Sequence, residues 1–223
     1  MRDKKRLDKG TTNKEQILSL LRNAVIEKPE AMFKDIDLRT DTWNPILEED
    51  GNAITFVQKF KDMGGIFIYL EDENELGECL KQLAPQNGWD TLWCASDELQ
   101  ALLDRYEVGY VTEMPDHKDH PKIVSILPCD YLIAQTGSIL VTDGHAGSRK
   151  AYTEADILLV VAHTEQIMAS LKEAMQQLNK TLGKTGSSQA LLLTGLSKSY
   201  DIEQEKVQGI FGARQIAVFL IEK

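Results

Sequence analysis

The sequence predicts an α/β fold with a mainly parallel sheet and helices on both sides of it. Short, continuous apolar runs, such as residues 66–70 and 157–161, are typical of strands that are buried on both faces, as strands of parallel sheets are. Between these runs, apolar residues recur at the three- and four-residue spacing of helices with one buried face. The two patterns alternate along 223 residues, which favours one compact α/β domain.

The N-terminal part begins with a charged tail and a first helix. Thr12 and Glu15 have the spacing of a capping box, and the helical apolar pattern that follows ends at Pro29. We expect residues 1–14 to be a basic, disordered tail. The acidic stretch from residue 30 to residue 51 is predicted to be an irregular connection.

Helical and strand patterns then repeat along the rest of the chain. Helices are predicted around residues 53–60, 76–83, 96–103 and 167–178, the last one ending at Gly183. Strands are predicted around residues 66–70, 91–94, 123–127, 139–142, 157–161, 191–193 and 215–221. A short helix opened by Asp201 is predicted before the last strand.

A polar loop at residues 114–120 divides the predicted domain, which covers residues 15–223. On one side lies a helical N-terminal part with the first strands, residues 15–120. On the other side lie residues 121–223, which contain most of the motifs that bear on function.

Composition narrows the class of protein. A formal net charge of −10 disfavours nucleic acid and anionic membrane surfaces as partners, because both need a basic footprint. The sequence shows neither a secretory signal nor an apolar run long enough to span a bilayer. Its three cysteines, Cys79, Cys94 and Cys129, are widely spaced. This spacing predicts a reduced, cytoplasmic protein without a disulfide framework or a metal site.

The first candidate for ligand binding is a glycine turn between two apolar stretches. Gly137 lets the backbone approach a ligand closely, and the hydroxyls of Thr136 and Ser138 are suited to bind a carboxylate or a phosphate. Arg149 follows and has the geometry to clamp a carboxylate with two hydrogen bonds. A tight β-turn explains the same turn residues, and a surface charge pair explains Arg149.

The second candidate is the turn that begins at Thr194 and Gly195. Backbone amides, the hydroxyl of Ser197 and the ammonium group of Lys198 come together here before the predicted helix, whose positive end favours anions. Asp201 is the candidate acid or base. Alternatively, Asp201 is an N-cap whose own carboxylate occupies those amides.

Two further patterns are weaker evidence for a functional site. His117 and His120 form an HxxH in a polar loop, and a solvated loop explains this pattern better than a metal site, which would need further ligands. Gly183-Lys184-Thr185 has the ending of a phosphate-binding P-loop, but Leu178 stands where that motif needs its first glycine.

Taken together, residues 121–223 resemble the lactate-utilisation (LUD) domain family on its LutC/YkgG side. The resemblance rests on several ordered matches, which are Asp130-Tyr131-Leu132-Ile133-Ala134-Gln135-Thr136-Gly137-Ser138, Arg149, Thr194-Gly195-Leu196-Ser197, Asp201-Ile202-Glu203 and Gly209-Ile210-Phe211-Gly212. It implies a three-layer α/β/α sandwich like those of the ribose-5-phosphate isomerase, glucosamine-6-phosphate deaminase and coenzyme A transferase superfamily.

The resemblance also implies a function. It predicts an accessory or regulatory subunit in the oxidation of L-lactate to pyruvate, beside LutA-like and LutB-like iron–sulfur proteins. The iron–sulfur clusters are then expected only in those partners, with no cofactor in this chain, and a homodimer is compatible with the pattern. The ligand is expected to be a small anionic metabolite held by both glycine turns.

The chain departs from the family pattern at several of these positions. Gln135 stands where the family has Glu, and Phe211 stands where it has His, so neither position offers an acid or base. Two other functions therefore stay open. One is an isomerase- or acyl-transferase-like enzyme that acts on a sugar phosphate or thioester with Asp201 as base, and the other is a binding scaffold without a ligand.

Overall fold

A computed structural model of the chain describes residues 12–26, 51–118, 120, 122–185, 187–196, 198–200, 206–208 and 212–223. The helices in these ranges are α1 (Asn13–Ile26), α2 (Gly51–Asp62), α3 (Glu73–Gln86), α4 (Asp97–Arg105), α5 (Asp143–Ala146), α6 (Lys150–Thr153) and α7 (Leu171–Thr185). The strands are β1 (Ile66–Leu70), β2 (Leu92–Trp93), β3 (Val124–Pro128), β4 (Tyr131–Ile133), β5 (Ser138–Thr142), β6 (Ile157–His163), β7 (Ile167–Met168), β8 (Ala190–Leu193), β9 (Lys198–Tyr200), β10 (Lys206–Gln208) and β11 (Gln215–Ile221).

The chain divides into two compact units, Met1–Asn44 and Pro45–Lys223. In the first unit, the predicted capping box of α1 is confirmed. The backbone N–H of Thr12 donates to the Glu15 carboxylate over 3.0 Å, and the N–H of Glu15 donates to the Thr12 hydroxyl over 3.4 Å. The prediction of a single domain from residue 15 onwards stays a prediction.

The second unit is built on a parallel sheet, which confirms the predicted α/β class. Its strand order is β1-β11-β6-β3-β2, and neighbouring strands run parallel throughout. The last strand, β11, lies between β1 and β6, so that Val218 pairs with Phe67 on one side and with Val160 on the other. Burial on both faces explains why β6 and β11 are continuous apolar runs.

Two long helices cover one face of this sheet. Leu76 and Leu80 of α3, together with Leu99 and Leu103 of α4, pack in one buried cluster with the β-strand side chains of that face, among them Phe219. These leucines recur every three or four residues, as the helical periodicity predicted. None of the described helices combines the length and the apolar character that crossing a membrane requires.

The opposite face carries helices and, in addition, a second sheet that the sequence did not predict. Phe56 and Phe60 of α2 and Tyr152 of α6 pack there with inward-facing residues of β4 and β5. Within the described ranges, the second sheet has four strands in the order β7-β4-β5-β8. Helix α7 covers its far side through Ala174 and Leu178.

The start of the last long helix was predicted wrongly. Ile167 and Met168, which the periodicity placed in the helix, form β7 and pair in parallel with Leu132 and Ile133. The helix begins later because Ser170 and Glu173 form a capping interaction: the Glu173 N–H donates to the Ser170 hydroxyl, and the Ala169 N–H donates to the Glu173 carboxylate.

Two other expectations about helices are also wrong. Gly183 does not end α7, which continues to Thr185. Lys206–Gln208, which the predicted helix after Asp201 would include, form β10 and pair antiparallel with β9. In both places a local sequence signal was overridden by the surrounding structure.

We predict that Phe60→Ala lowers the free energy of unfolding by about 3–5 kcal/mol, because it removes a fully buried ring from the cluster under the central sheet. Ile54→Ala, on the same helix, is the matched control. Ile54 is 56% exposed, and its truncation should cost about 0.5 kcal/mol or less. Equilibrium urea unfolding of the full chain measures both, and equal losses in the two variants would contradict this account of α2.

Candidate functional site

The structure brings the two glycine turns side by side. Strand β5 pairs antiparallel with β8, with Ile139 opposite Leu193, so the residues just beyond that pair become neighbours. The Ser138 hydroxyl lies 2.8 Å from that of Thr194 and 2.7 Å from that of Thr136. Three hydroxyls from two distant parts of the chain thus form one hydrogen-bonded row.

The protein itself uses the backbone amides of the first turn. The N–H groups of Ala134, Gln135 and Gly137 donate to the carbonyls of Met168, Ala169 and Ile133, over 2.9, 3.1 and 2.9 Å. This turn connects the antiparallel strands β4 and β5. The β-turn interpretation accounts for its residues, and these three amides are not free to bind an anion.

Gly137 lies directly against helix α2, and Gly195 lies against Met63, the residue that follows this helix. A Cβ on Gly137 would lie 2.6 Å from the backbone nitrogen of Phe60, and one on Gly195 would lie 2.5 Å from the Cβ of Met63. Each glycine also has a positive φ, +64° and +70° respectively. The close approach that these glycines allow is therefore an approach of the protein's own chain.

Arg149 lies at the other end of β5 and is separated from the two turns. Its guanidinium contacts the Asp143 carboxylate at 3.0 Å and donates to the hydroxyl of Ser188. Since Asp143 directly follows β5, its backbone lies about 16 Å along the strand from Ser138, at 3.2–3.4 Å for each residue, and Arg149 is bound at that end. The structure therefore places Arg149 apart from the hydroxyls of the two glycine turns, and its role in binding a ligand stays a prediction.

Asp143 is the centre of a structural junction. Its carboxylate accepts hydrogen bonds from the N–H groups of Ser188 and Gln189 and from the Ser188 hydroxyl, over 2.9–3.1 Å. These bonds, led by that from the Gln189 backbone, hold the pKa of Asp143 well below its ordinary value. The junction ties the start of β8 to the end of β5.

The structure describes only some of the predicted residues of the second turn. Ser197 and Asp201 lie outside the described residues. Lys198 begins β9. Thr194 is exposed, so its hydroxyl closes the hydroxyl row at the protein surface.

Sequence reasoning missed a group of ionisable residues at the carboxyl end of the central sheet. Asp130 follows β3, and its carboxylate lies 3.6 Å from Nδ1 of His145. On the other side of the ring, Nε2 lies 3.5 Å from the carboxylate of Glu98 on α4. The available signal was the position of Asp130, a polar residue two positions after the end of a buried parallel strand.

The same edge of the sheet carries a cavity of about 280 Å³. It lies beyond the carboxyl ends of β1, β6 and β11, and its charged lining comprises Asp72, Glu73, Glu222 and Lys223. Each charge already has a protein partner, such as Arg105 for Glu73 and Glu165 for Lys223. An excess of carboxylates makes this cavity unfavourable for a small anion.

Two of the cysteines are buried thiols, and the HxxH histidines have different neighbours. Burial raises the pKa of Cys94 to about 11 and raises that of Cys129 further. Nδ1 of His117 lies 3.8 Å from Asp156, whereas Nδ1 of His120 lies 3.4 Å from the Thr91 hydroxyl. In the part of the chain that the structure describes, no three His, Cys, Asp or Glu side chains are grouped to hold a metal ion.

Comparisons with known proteins agree with this architecture. The sequence profile of the LUD domain family matches residues 123–221. The chain is also similar in structure to a DUF162 family protein from Deinococcus radiodurans, with a TM-score of 0.58 and 15% sequence identity. That similarity covers 79% of this chain and 99% of the other, and at this level of identity it concerns the fold alone.

We predict that Gly137→Ala destabilises the protein more than Gly88→Ala does. Both glycines have a φ of +64°, so an alanine is strained at either position, at a cost of about 1–3 kcal/mol. Only at Gly137 would the new methyl group also collide with backbone, whereas at Gly88 it meets nothing within 4 Å. Equal losses in urea unfolding would show that contact with α2 is not the reason for a glycine at position 137.

We predict that Asp143→Asn destabilises the protein at neutral pH and that the difference from wild type narrows in acid. A carboxyl group with a lowered folded pKa contributes stability above its ordinary pKa of 3.8, and this contribution is lost as the pH falls towards the folded value. Urea midpoints measured from neutral pH to about pH 3 test this. A difference that stays constant below pH 3.8 would refute it.

Proposed function

Since this chain carries a LUD domain at residues 123–221, we propose that it takes part in the oxidation of L-lactate, or a related organic acid, to pyruvate. The family match is the observation that carries this proposal, because it links the chain to lactate utilisation. In this proposal the chain is a cytoplasmic accessory or regulatory subunit that works beside LutA-like and LutB-like iron–sulfur proteins.

The cysteines support an accessory role. Iron–sulfur clusters of the common types need four cysteine thiolates, and this chain has three cysteines in total. Cys94 and Cys129 are buried, and burial disfavours their thiolate forms. We therefore assign the electron-transferring clusters to the partner proteins.

For the ligand, we propose a small organic carboxylate at the outer end of the hydroxyl row. Thr194 is an exposed residue, and we propose that its hydroxyl, backed by those of Ser138 and Thr136, donates to the carboxylate. Ser197 and Lys198 follow in the sequence and supply a further hydroxyl and a positive charge. Arg149 is left out of this proposal because Asp143 and Ser188 already occupy its guanidinium.

We predict that deletion of the gene abolishes growth on lactate but not on glucose, and that the wild-type gene restores it. A gene with Thr194→Val should restore growth poorly, because this change removes the hydroxyl and keeps the side-chain volume. The purified variant should bind lactate or pyruvate about tenfold more weakly by calorimetry, as for the loss of one hydrogen bond to a charged group.

Thr112→Val is the matched control, since Thr112 is also exposed but lies far from the hydroxyl row in the sequence. It should behave as wild type in both experiments. Normal growth of the deletion strain on lactate would refute the role in lactate oxidation. Turnover of lactate by the purified chain alone would refute the accessory role, whereas co-purification with iron–sulfur proteins and turnover only in their presence would support it.

A further inference from the structure

His145 lies between two carboxylates that belong to different elements of the fold. Its ring faces Asp130, which follows β3, at 3.6 Å through Nδ1, and Glu98, on α4, at 3.5 Å through Nε2. His145 itself is part of the short helix α5. One imidazole therefore stands at the meeting point of three segments that are distant in the sequence.

The inner half of this arrangement is rigidly held. One Asp130 carboxylate oxygen accepts the Thr142 N–H over 2.6 Å, and the other accepts the Thr142 hydroxyl over 3.2 Å. The backbone N–H of His145 in turn donates to the Thr142 hydroxyl over 3.4 Å. With the Asp130 side chain only 10% exposed, the ring and its inner partner have a fixed position.

The outer half is exposed to solvent. The Glu98 side chain is 82% exposed, in contrast to that of Asp130 on the inner side of the ring. Both ring nitrogens face carboxylates, which accept hydrogen bonds but do not donate them. A neutral imidazole has one N–H and satisfies one carboxylate, whereas the protonated ring has two and satisfies both.

We propose that the Asp130–His145–Glu98 bridge is a proton-dependent clamp: the protonated imidazole ties α4 to α5 and to the end of β3, and the neutral imidazole releases Glu98. This inference does not rest on the proposed role in lactate oxidation.

Helix α4 connects the clamp to the cavity at the carboxyl edge of the sheet. Glu98 lies in the first turn of α4, and Ser96, the residue that precedes this helix, makes no side-chain cap bond to it. At the other end of α4, Arg105 pairs with Glu73 at 3.0 Å, and Glu73 lines the cavity of about 280 Å³. Release of Glu98 thus removes one side-chain tie from the first turn of a helix whose last residue, Arg105, pairs with the cavity-lining Glu73.

The electrostatic surroundings agree with the geometry. The Asp130 carboxylate raises the pKa of His145 above its ordinary 6.5, against the opposing effect of burial, and Glu98 contributes in the same direction. Other nearby charges have other partners, since Asp143 is paired with Arg149 and Lys223 with Glu165. A group with a raised folded pKa stabilises the fold fully below pH 6.5, and this contribution is lost as the pH rises through the folded value.

The clamp is tested by NMR titration of the His145 ring in the full chain, in wild type, Glu98→Gln and Glu107→Gln. The wild-type midpoint should lie above 6.5. Glu98→Gln should lower it by a few tenths of a pH unit, as expected for a pair with one exposed partner. Glu107→Gln, which removes another exposed carboxylate that is paired with Lys81, should leave it unchanged.

Amide hydrogen exchange at Gln100, whose N–H donates to the Ser96 carbonyl over 2.9 Å and closes the first turn of α4, tests whether the clamp holds this turn. Below the His145 midpoint, wild type should be better protected there than Glu98→Gln, and well above the midpoint the two should exchange equally. A wild-type midpoint at or below 6.5 would overturn the proposal, and so would a difference in protection that does not depend on pH. Neither result would bear on growth on lactate.

Discussion

The central constraint of this fold is that the last strand of the chain lies inside the sheet. β11 pairs with β1 through one edge and with β6 through the other, and its side chains contribute to the buried clusters on both faces. The sheet that carries the carboxyl-edge residues is therefore complete only when Gln215–Ile221 are inserted. Non-local pairing of this kind is slow to form, since a long loop must close before the contacts are gained.

The second sheet decides what the glycine turns can do. Antiparallel pairing of β5 with β8 brings Ser138 next to Thr194, and the same pairing carries Asp143 and Arg149 to the opposite end. The hydroxyl row and the Asp143 junction are therefore two separate sites. The hydroxyl row is the proposed site for a carboxylate, whereas the Asp143 junction holds β8 in place.

The central sheet was predictable from the sequence because burial on both faces leaves a continuous apolar run, as in β6 and β11. The second sheet was not, because β4 and β7 are short and because the pairings of β7 with β4 and of β8 with β5 join residues far apart in the chain. Ile167 and Met168 continue the helical pattern of α7, and only their pairing with Leu132 and Ile133 makes them a strand. The candidate site shows the same difference between local and long-range contacts. Hydroxyls that share one turn could be predicted from the sequence, whereas Glu98, Asp130 and His145 are brought together only by folding.

The contacts of Gly137 with α2 and of Gly195 with the residue after α2 restrict the two glycines more than the residues that they face. The nearest atoms on the helix side are backbone or Cβ atoms of Lys59, Phe60 and Met63, which nearly every amino acid possesses. These contacts therefore do not restrict which side chains stand at the facing positions. They do exclude any residue larger than glycine at positions 137 and 195. Related chains should therefore keep glycine at both positions, whereas positions 59 and 63 can vary and position 60 stays apolar because Phe60 is buried.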